Sequence, residues 1–466
     1  MNKGFAVLIL LLFQFCSMSI SRKTAELLPK ADLLFRILNI SKSGFTVSGT
    51  VSGLTSEGLI LSSGTSPNVT VSVASGSASF QFAGTFADGT VYKITASSVP
   101  STQSCTVQNG SGTVSGANIT NVSVTCYPNF PSVVSITPAD GASNLNFSTF
   151  ITLNFSGPMD ISSLTVNTVD NNCNSTIQVS EDDFSSCIPL DSAVSSTGNS
   201  SVSFKAKFGY TYYKTVKVRV LSSAKNILGN NMQSAYTSSG FSGFSIAGLR
   251  IHFQSHSVYQ SNSTNLLSWT DLSGNGNTVS QATGANQPLF LTNQSGVFPV
   301  IRFNNTNSLM KKLGGTGLGT LAGSYFFVFK RNLVTGINPV LQIGTDTGYA
   351  NGRQFVISNL NKLEFNQKNI SNLILSSALY TGTSSVYLYS LQSDGTNHTI
   401  QFSGNADGTA TFSTGSYPGT DIELGYSGFD WLELIYYDSS LSAASRDQVN
   451  CYLGKKYNVT LSISCP

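Results

Sequence analysis

Residues 131–165 read PSVVSITPADGASNLNFSTFITLNFSGPMDISSLT. Within ITLNF (151–155), apolar and polar side chains alternate, so Ile151, Leu153 and Phe155 share one face of an extended chain. Pro158 then ends the strand, because it has no N–H to give a neighbour. The same period of two recurs upstream in FTVSGTVSGL (45–54), where Phe45, Val47, Gly49 and Val51 fall on one side. Further short strands read at 69–75, 78–84, 91–98 and 121–126, with turns at 87–89 and 109–110. Alternation with short loops predicts small antiparallel sandwiches.

The whole chain supports a β reading. It has 466 residues, which suggests about three domains at roughly 150 residues each. Charged residues are 10%, against a usual ~25%, and Ser, Thr, Asn and Gly take over the polar role. That composition suits extracellular β-proteins. The net charge of +3 is too small to argue for nucleic acid. Three divisions are expected: a spacer sandwich at 44–128, a second sandwich at 130–245, and a segment at 246–466 that is too long for an Ig sandwich and suits a large jelly roll.

Family resemblances sharpen each division. CTVQNGSGTVSGANITNVSVTC (105–126) resembles small repeats of bacterial surface lipoproteins, in which two cysteines flank a hairpin. The stretch at 131–165, with Pro138, Gly141 and the run Phe155-Ser156-Gly157-Pro158-Met159-Asp160, resembles SbsA-like bacterial immunoglobulin domains. AKNILGNNM (224–232) fits the far end of such a domain, which implies a stalk or surface-layer module. The last segment resembles LamG-like domains of the concanavalin A-like lectin/glucanase fold. The resemblance rests on LRIHF (249–253), LSWTDLSGNGN (267–277), PVIRF (299–303) and above all WLELIYYDSSLSAASRDQVNCYLGKKYNV (431–459). In that family a strand and then a short helix close the domain. The helix also reads locally: Ser442 can cap it, and Val449, Tyr452 and Leu453 share one face. One departure stands out. Relatives commonly carry an acidic residue just after the aromatic of the opening strand, where this chain has Gln254-Ser255-His256. The expected fold is therefore all-β and multidomain: two Ig-like β-sandwiches, then a concanavalin A-like jelly roll.

Six of the seven cysteines fall as near neighbours: Cys105 with Cys126, Cys173 with Cys187, Cys451 with Cys465. Six cysteines allow 15 connectivities; local pairing is the economical one, and it suits an oxidising compartment. Each bridge would close a loop of roughly 15–20 residues, worth about 3 kcal/mol. Residues 1–19 read as a signal peptide, with Lys3 before an apolar core at 5–15. Cleavage after Ser19 and a lipoprotein leader ending at Cys16 both fit. Residues 20–43 read as a linker. The expected location is secreted or on the outer cell envelope, with membrane contact only through a lipid on Cys16.

Little enzyme chemistry is visible. A glycosidase needs two carboxylates flanking the sugar bond. Asp430 and Glu433 stand three apart, so on a regular strand they point to opposite faces. Asp421 and Glu423 share a face without a third acid. No GxSxG elbow is present. Binding is the better reading, with glycan or an extracellular or host protein as partner. The candidate ligand residues are Trp269, Asp271, Asn275 and Asn277 in one Asn/Gly-rich loop, and Asp346, Tyr349 and Arg353 in another. Each set combines an aromatic ring with polar hydrogen-bonding groups. The bland reading of the first loop is turn chemistry with a core Trp269. The hairpin 393–397 is a third, weaker candidate. No cofactor is required; calcium, held by loop carboxylates such as Glu181-Asp182-Asp183, is kept as an option beside a plain solvated loop. The rivals to binding are a structural surface-layer or cell-wall component and, behind it, a glycan hydrolase.

Overall fold

The computed structural model describes residues 44–465, apart from 67, 146–147, 192–193, 196–198, 297, 305–307, 319–321, 333–337, 346–350, 358–361, 368–372, 378–384, 412–419 and 426–427. The leader at 1–19, the lipidation candidate Cys16, the linker at 20–43, and Asp346 and Tyr349 lie outside the described residues. The chain forms two compact units, Met1–Asn129 and Phe130–Pro466.

In the first unit, Val47–Ser52 lies between Ser79–Gln81 and Ile119–Pro128, and Gln103–Gln108 completes the sheet. A second, three-stranded sheet joins Thr70–Val73, Leu59–Ser62 and Thr95–Ser98. Alternation sets which face is buried: Val47 and Val51 pack with Leu59, Leu61, Phe80 and Val124. Val47–Ser52 and Ile119–Pro128 run parallel, and Gly49 sits where a Cβ would come within 2.2 Å of the Val122 carbonyl oxygen. Only glycine tolerates that approach. Cys105 and Cys126 are direct cross-strand partners and are bonded to each other.

The second unit begins with an Ig-like sandwich. One sheet runs Val133–Thr137, Ile151–Phe155, Ser201–Phe204, Val194–Ser195; the other holds Ile177–Ser180, Thr215–Val220 and Tyr236–Thr237. Ile151, Leu153 and Phe155 face inward, against Val202, Phe204 and Val218. Cys173 and Cys187 close the inserted loop.

Two larger sheets follow. The nine-stranded one centres on Phe429–Tyr437, which pairs with Gly323–Arg331 on one side and with Leu249–Gln254 and Phe298–Phe303 on the other. The eight-stranded one runs from Ser268–Trp269 to Leu373–Leu375. Between them lies a core that includes Phe253, Trp269, Phe327, Phe355, Leu424 and Trp431. This is a jelly-roll sandwich.

All nine residues of Phe429–Tyr437 are buried, because both faces of the strand are covered. One face joins the core between the sheets. The other meets the helix Ala443–Tyr457 through Val449, Tyr452 and Leu453, together with Tyr212 from the Ig-like sandwich. That shared outer core bridges the division read in the sequence after residue 245. Each large apolar side chain buried there contributes about 1.5–3 kcal/mol. Ser442 caps the helix by accepting from the Ser445 N–H, Asn458 ends it in left-handed geometry, and Cys451–Cys465 ties it down. Among the described residues no helix is long and apolar enough to cross a membrane, which says nothing of a β-barrel.

Candidate functional site

The candidate residues of the Asn/Gly-rich loop are taken up by the fold. Trp269 has no exposed surface, its indole donates to the Gln254 carbonyl at 3.0 Å, and its ring packs on Phe253. Asp271 is buried and organises the loop: one oxygen accepts from the His252 and Ser273 N–H groups, the other from the Ser273 hydroxyl and the Asn277 N–H. Asn275 donates to the Leu249 carbonyl, and Asn277 to those of Arg250 and Thr316. Arg353 is 2% exposed and donates to the Tyr325 hydroxyl at 2.9 Å. The hairpin acid Asp394 accepts from Thr396 and Asn397, hydrogen bonds that lower its carboxyl to about 2. None of these side chains lines either of the two recesses that follow.

A recess does open elsewhere. A groove of about 840 Å³ runs along the seam between the Ig-like sandwich and the jelly roll. The Ig-like side supplies Val169, Asp170, Lys207 and Phe208. The jelly-roll side supplies His256, Tyr259, Gln260, Thr264, Asn265 and Thr292. A smaller recess of about 200 Å³ shares Phe208, His256 and Tyr259 with it, and adds Glu181, Asp182 and Lys214.

Local structure explains why these groups stand there. Strand Leu249–Gln254 runs into a single 3-10 turn, Ser255–Ser257, which swings His256 into the seam. The Ser255 hydroxyl pins the turn by donating to the Pro299 carbonyl at 2.7 Å. Opposite, Asp170 accepts from Asn167 and Asn172, and these hydrogen bonds hold its carboxyl below the usual range. Lys207 donates to the Thr168 carbonyl and lies over the Phe208 ring, 5.6 Å from its centre. Phe208 in turn packs on His256 and Phe298. Tyr259 keeps 37% of its surface exposed at the lip.

The acidic triplet sends its carboxylates apart. Glu181 accepts from the Thr211 N–H, Asp182 from Ser180 and Ser186, and Asp183 pairs with Lys217. Burial pushes the Glu181 carboxyl up, against the Thr211 hydrogen bond. Among the described residues no three His, Cys, Asp or Glu side chains cluster closely enough to hold a metal ion.

Behind the groove lies a buried polar network. Glu433 accepts at one oxygen from His252 (2.6 Å), Tyr452 (3.1 Å) and Gln254 (3.2 Å). At the other it accepts from Lys456 and Tyr457, both at 2.7 Å. Burial would raise its carboxyl, but the Lys456 charge and the His252 hydrogen bond outweigh that and hold it well below the usual range. Burial pushes the His252 imidazole down, against the pull of Glu433. The Tyr213 hydroxyl of the Ig-like sandwich lies 2.9 Å from both His252 Nδ1 and the Leu272 carbonyl, and has one proton to give. Beside it, the hydroxyls of Tyr212 and Tyr437 meet at 2.6 Å.

Asp430 and Glu433 do not point to opposite faces. Pairing with Gly323–Arg331 slips between Val328–Glu433 and Phe329–Trp431, so Leu432 is a bulge that resets the alternation. Phe429, Trp431, Leu434 and Tyr436 all face the inner core, which turns both acids outward. Each is neutralised where it stands: Asp430 takes two hydrogen bonds from Arg302, both at 2.7 Å. Of the other acids weighed for hydrolysis, Asp421 accepts from the Gly314 N–H, and Glu423 pairs with Lys311.

Sequence reasoning missed the groove because its walls lie in separate stretches, 169–208 and 256–299, and no local pattern joins them. The one available signal was Gln254-Ser255-His256, the departure from the LamG-like pattern. It contributes Gln254 to the buried network and His256 to the groove.

A comparison with curated proteins finds no match. Among solved structures, the chain is similar to the Ruminococcus gnavus IT-sialidase CBM40 at 13% identity and a TM-score of 0.28, over 32% of this chain and 96% of that one. It is similar to the Botulinum Neurotoxin Type G Receptor Binding Domain at 14% identity and a TM-score of 0.32, over 41% of this chain and 52% of that one. It is similar to the botulinum neurotoxin serotype C1 binding domain at 11% identity and a TM-score of 0.32, over 45% and 52%. Residues 128–245 match the family model described as Bacterial Ig-like domain, which agrees with the sandwich found there.

Proposed function

We propose that this is a bacterial cell-envelope protein that binds glycan reversibly, without catalysis, in the seam groove. In this reading an SbsA-like Ig-like module and the spacer before it carry a LamG-like domain away from the surface. The protein is secreted or anchored by a lipid on Cys16.

The observation that carries the proposal is the make-up of the groove. About 840 Å³ of concave space combines the rings of Phe208 and Tyr259 with the amides of Gln260 and Asn265 and the hydroxyls of Thr264 and Thr292. Sugars present apolar C–H faces flanked by hydroxyls, so a ring and nearby amides match both parts at once. The three disulfides suit an oxidising exterior. Against hydrolysis stands the engagement of Asp430 and Glu433 with Arg302 and Lys456.

The test is a glycan and matrix-protein array probed with the full chain. Glycan binding that falls about tenfold in both Tyr259→Ala and Asn265→Ala is expected, tenfold being roughly 1.4 kcal/mol. Binding confined to protein spots would redirect the site to an extracellular or host protein. A blank array from folded, disulfide-intact chain would favour a structural surface-layer or cell-wall component.

A further inference from the structure

Among the described residues of the groove, His256 is a buried polar side chain that the fold leaves without a hydrogen bond at its ring. His256 is 7% exposed and lines both recesses. Its ring is held by Phe208 at 5.3 Å and Phe298 at 5.7 Å. Its Nδ1 is shut from solvent without a hydrogen-bond partner, and among the described residues no hydrogen bond reaches the ring. Nε2 is likewise without a partner among the described residues but is not shut from solvent, so it is the ring edge that a partner from outside can reach.

We propose that His256 is the ligand contact at the floor of this groove, donating a hydrogen bond from its open ring edge to an acceptor oxygen of a bound glycan. This rests on the reading of the groove as a glycan site. The tautomer follows from the geometry. A neutral imidazole has one N–H and one bare nitrogen. An orphaned buried N–H is rarer than an under-satisfied acceptor. The bare nitrogen is therefore the enclosed Nδ1, and Nε2 carries the proton. The acceptor is a hydroxyl, ring or N-acetyl oxygen.

The surroundings keep the ring uncharged. Burial pushes the His256 imidazole well down, and the Lys456 charge adds to that against the opposing pull of Glu433. His252, on the strand that leads into this turn, adds a smaller push in the same direction. Across the seam Glu181, Asp182 and Lys214 face the smaller recess, and Asp170 and Lys207 the larger. Recognition is then by a neutral hydrogen bond and not by an ion pair. It should be insensitive to pH across the ordinary histidine range near 6.5.

The experiment measures binding of the full chain to immobilised galactose-, mannose-, N-acetylglucosamine- and uronate-terminated oligosaccharides at pH 8.0, 6.5 and 5.5. His256→Phe keeps the ring packing and deletes both nitrogens; His256→Gln restores a donor. The expected result is a three- to tenfold loss in His256→Phe, about what one neutral hydrogen bond is worth, with His256→Gln within about threefold of wild type. Wild-type affinity should hold constant from pH 8.0 to 6.5. Full affinity in His256→Phe, or a wild-type titration centred near pH 6.5, overturns the proposal while leaving the groove as a glycan site. No binding by wild type overturns the groove reading and this inference together. If His256→Phe fails to fold, His256→Gln and the wild-type pH profile decide.

Discussion

Glu433 has no exposed surface, yet its two oxygens collect hydrogen bonds from His252, Gln254, Tyr452, Lys456 and Tyr457. Only such a set offsets the cost of a buried charge; removing one partner of a buried pair typically costs 3–5 kcal/mol. Two histidines share this region, and the signs of their shifts give a pH dependence. The folded state disfavours protonation of His252 and His256, so below about pH 6.5 the unfolded chain binds more protons than the folded one. Their contribution is present above that pH and is lost as pH falls through it. Glu433 is held ionised, so its contribution is lost lower, as pH falls below about 4.5. The urea midpoint is therefore expected to drop in two stages between pH 7.5 and 3.5. His256→Phe should blunt the first stage and leave the second. A midpoint that stays level from pH 7.5 to 5.0 would mean that the folded protein accommodates both imidazolium ions.

The strands that alternate were legible because period-two burial is written residue by residue: Val47 and Val51, or Ile151, Leu153 and Phe155, point inward as their spacing requires. Likewise Ser442 and the face Val449, Tyr452, Leu453 gave the helix Ala443–Tyr457. Strand Phe429–Tyr437 was legible as a strand but not in its facing, since a bulge at Leu432 depends on its neighbours and leaves no local mark. The candidate ligand loop is ambiguous for a related reason. Asp271 and Asn277 have the chemistry of a sugar site, but that chemistry also closes turns, and here it is consumed internally. The groove needed two distant segments to meet, which one sequence does not reveal. The helix also holds a misfit. Asn450 lies on its buried face with no exposed surface, and among the described residues neither amide atom has a partner. An unsatisfied buried polar group costs about 1–3 kcal/mol, and alanine is the better helix former by about half a kcal/mol. Asn450→Ala is expected to raise stability by roughly 1 kcal/mol, despite the small cavity it leaves. A lower melting temperature in the variant would show that the amide is paired after all.

The second unit owes its unity to the seam. Tyr212 and Tyr213 leave the Ig-like sandwich at one corner and enter the outer core of the jelly roll. Tyr212 stacks on Phe244 at 4.5 Å, packs on Tyr452 at 4.7 Å and meets the Tyr437 hydroxyl. Tyr213 reaches His252 and the Leu272 carbonyl. Interfaces between domains of one chain are commonly loose and polar, but this one is a continuous hydrophobic core with hydroxyl groups paired inside it. The groove needs that firmness, because its two walls belong to the two sandwiches and a rocking joint would add an ordering cost to every binding event. Residues 130–466 are therefore expected to melt in one cooperative calorimetric transition within the full chain. Tyr213→Phe tests the coupling with little change in shape. It removes the one hydroxyl proton that His252 Nδ1 and the Leu272 carbonyl compete for, leaving an acceptor at the seam short of a donor, at about 1–3 kcal/mol. If the seam couples the sandwiches, a change made on the Ig-like side lowers the single transition as a whole, by a few degrees for a unit of this size. If Tyr213→Phe instead splits off a minor transition and leaves the main one in place, the sandwiches melt independently and the groove is not preorganised.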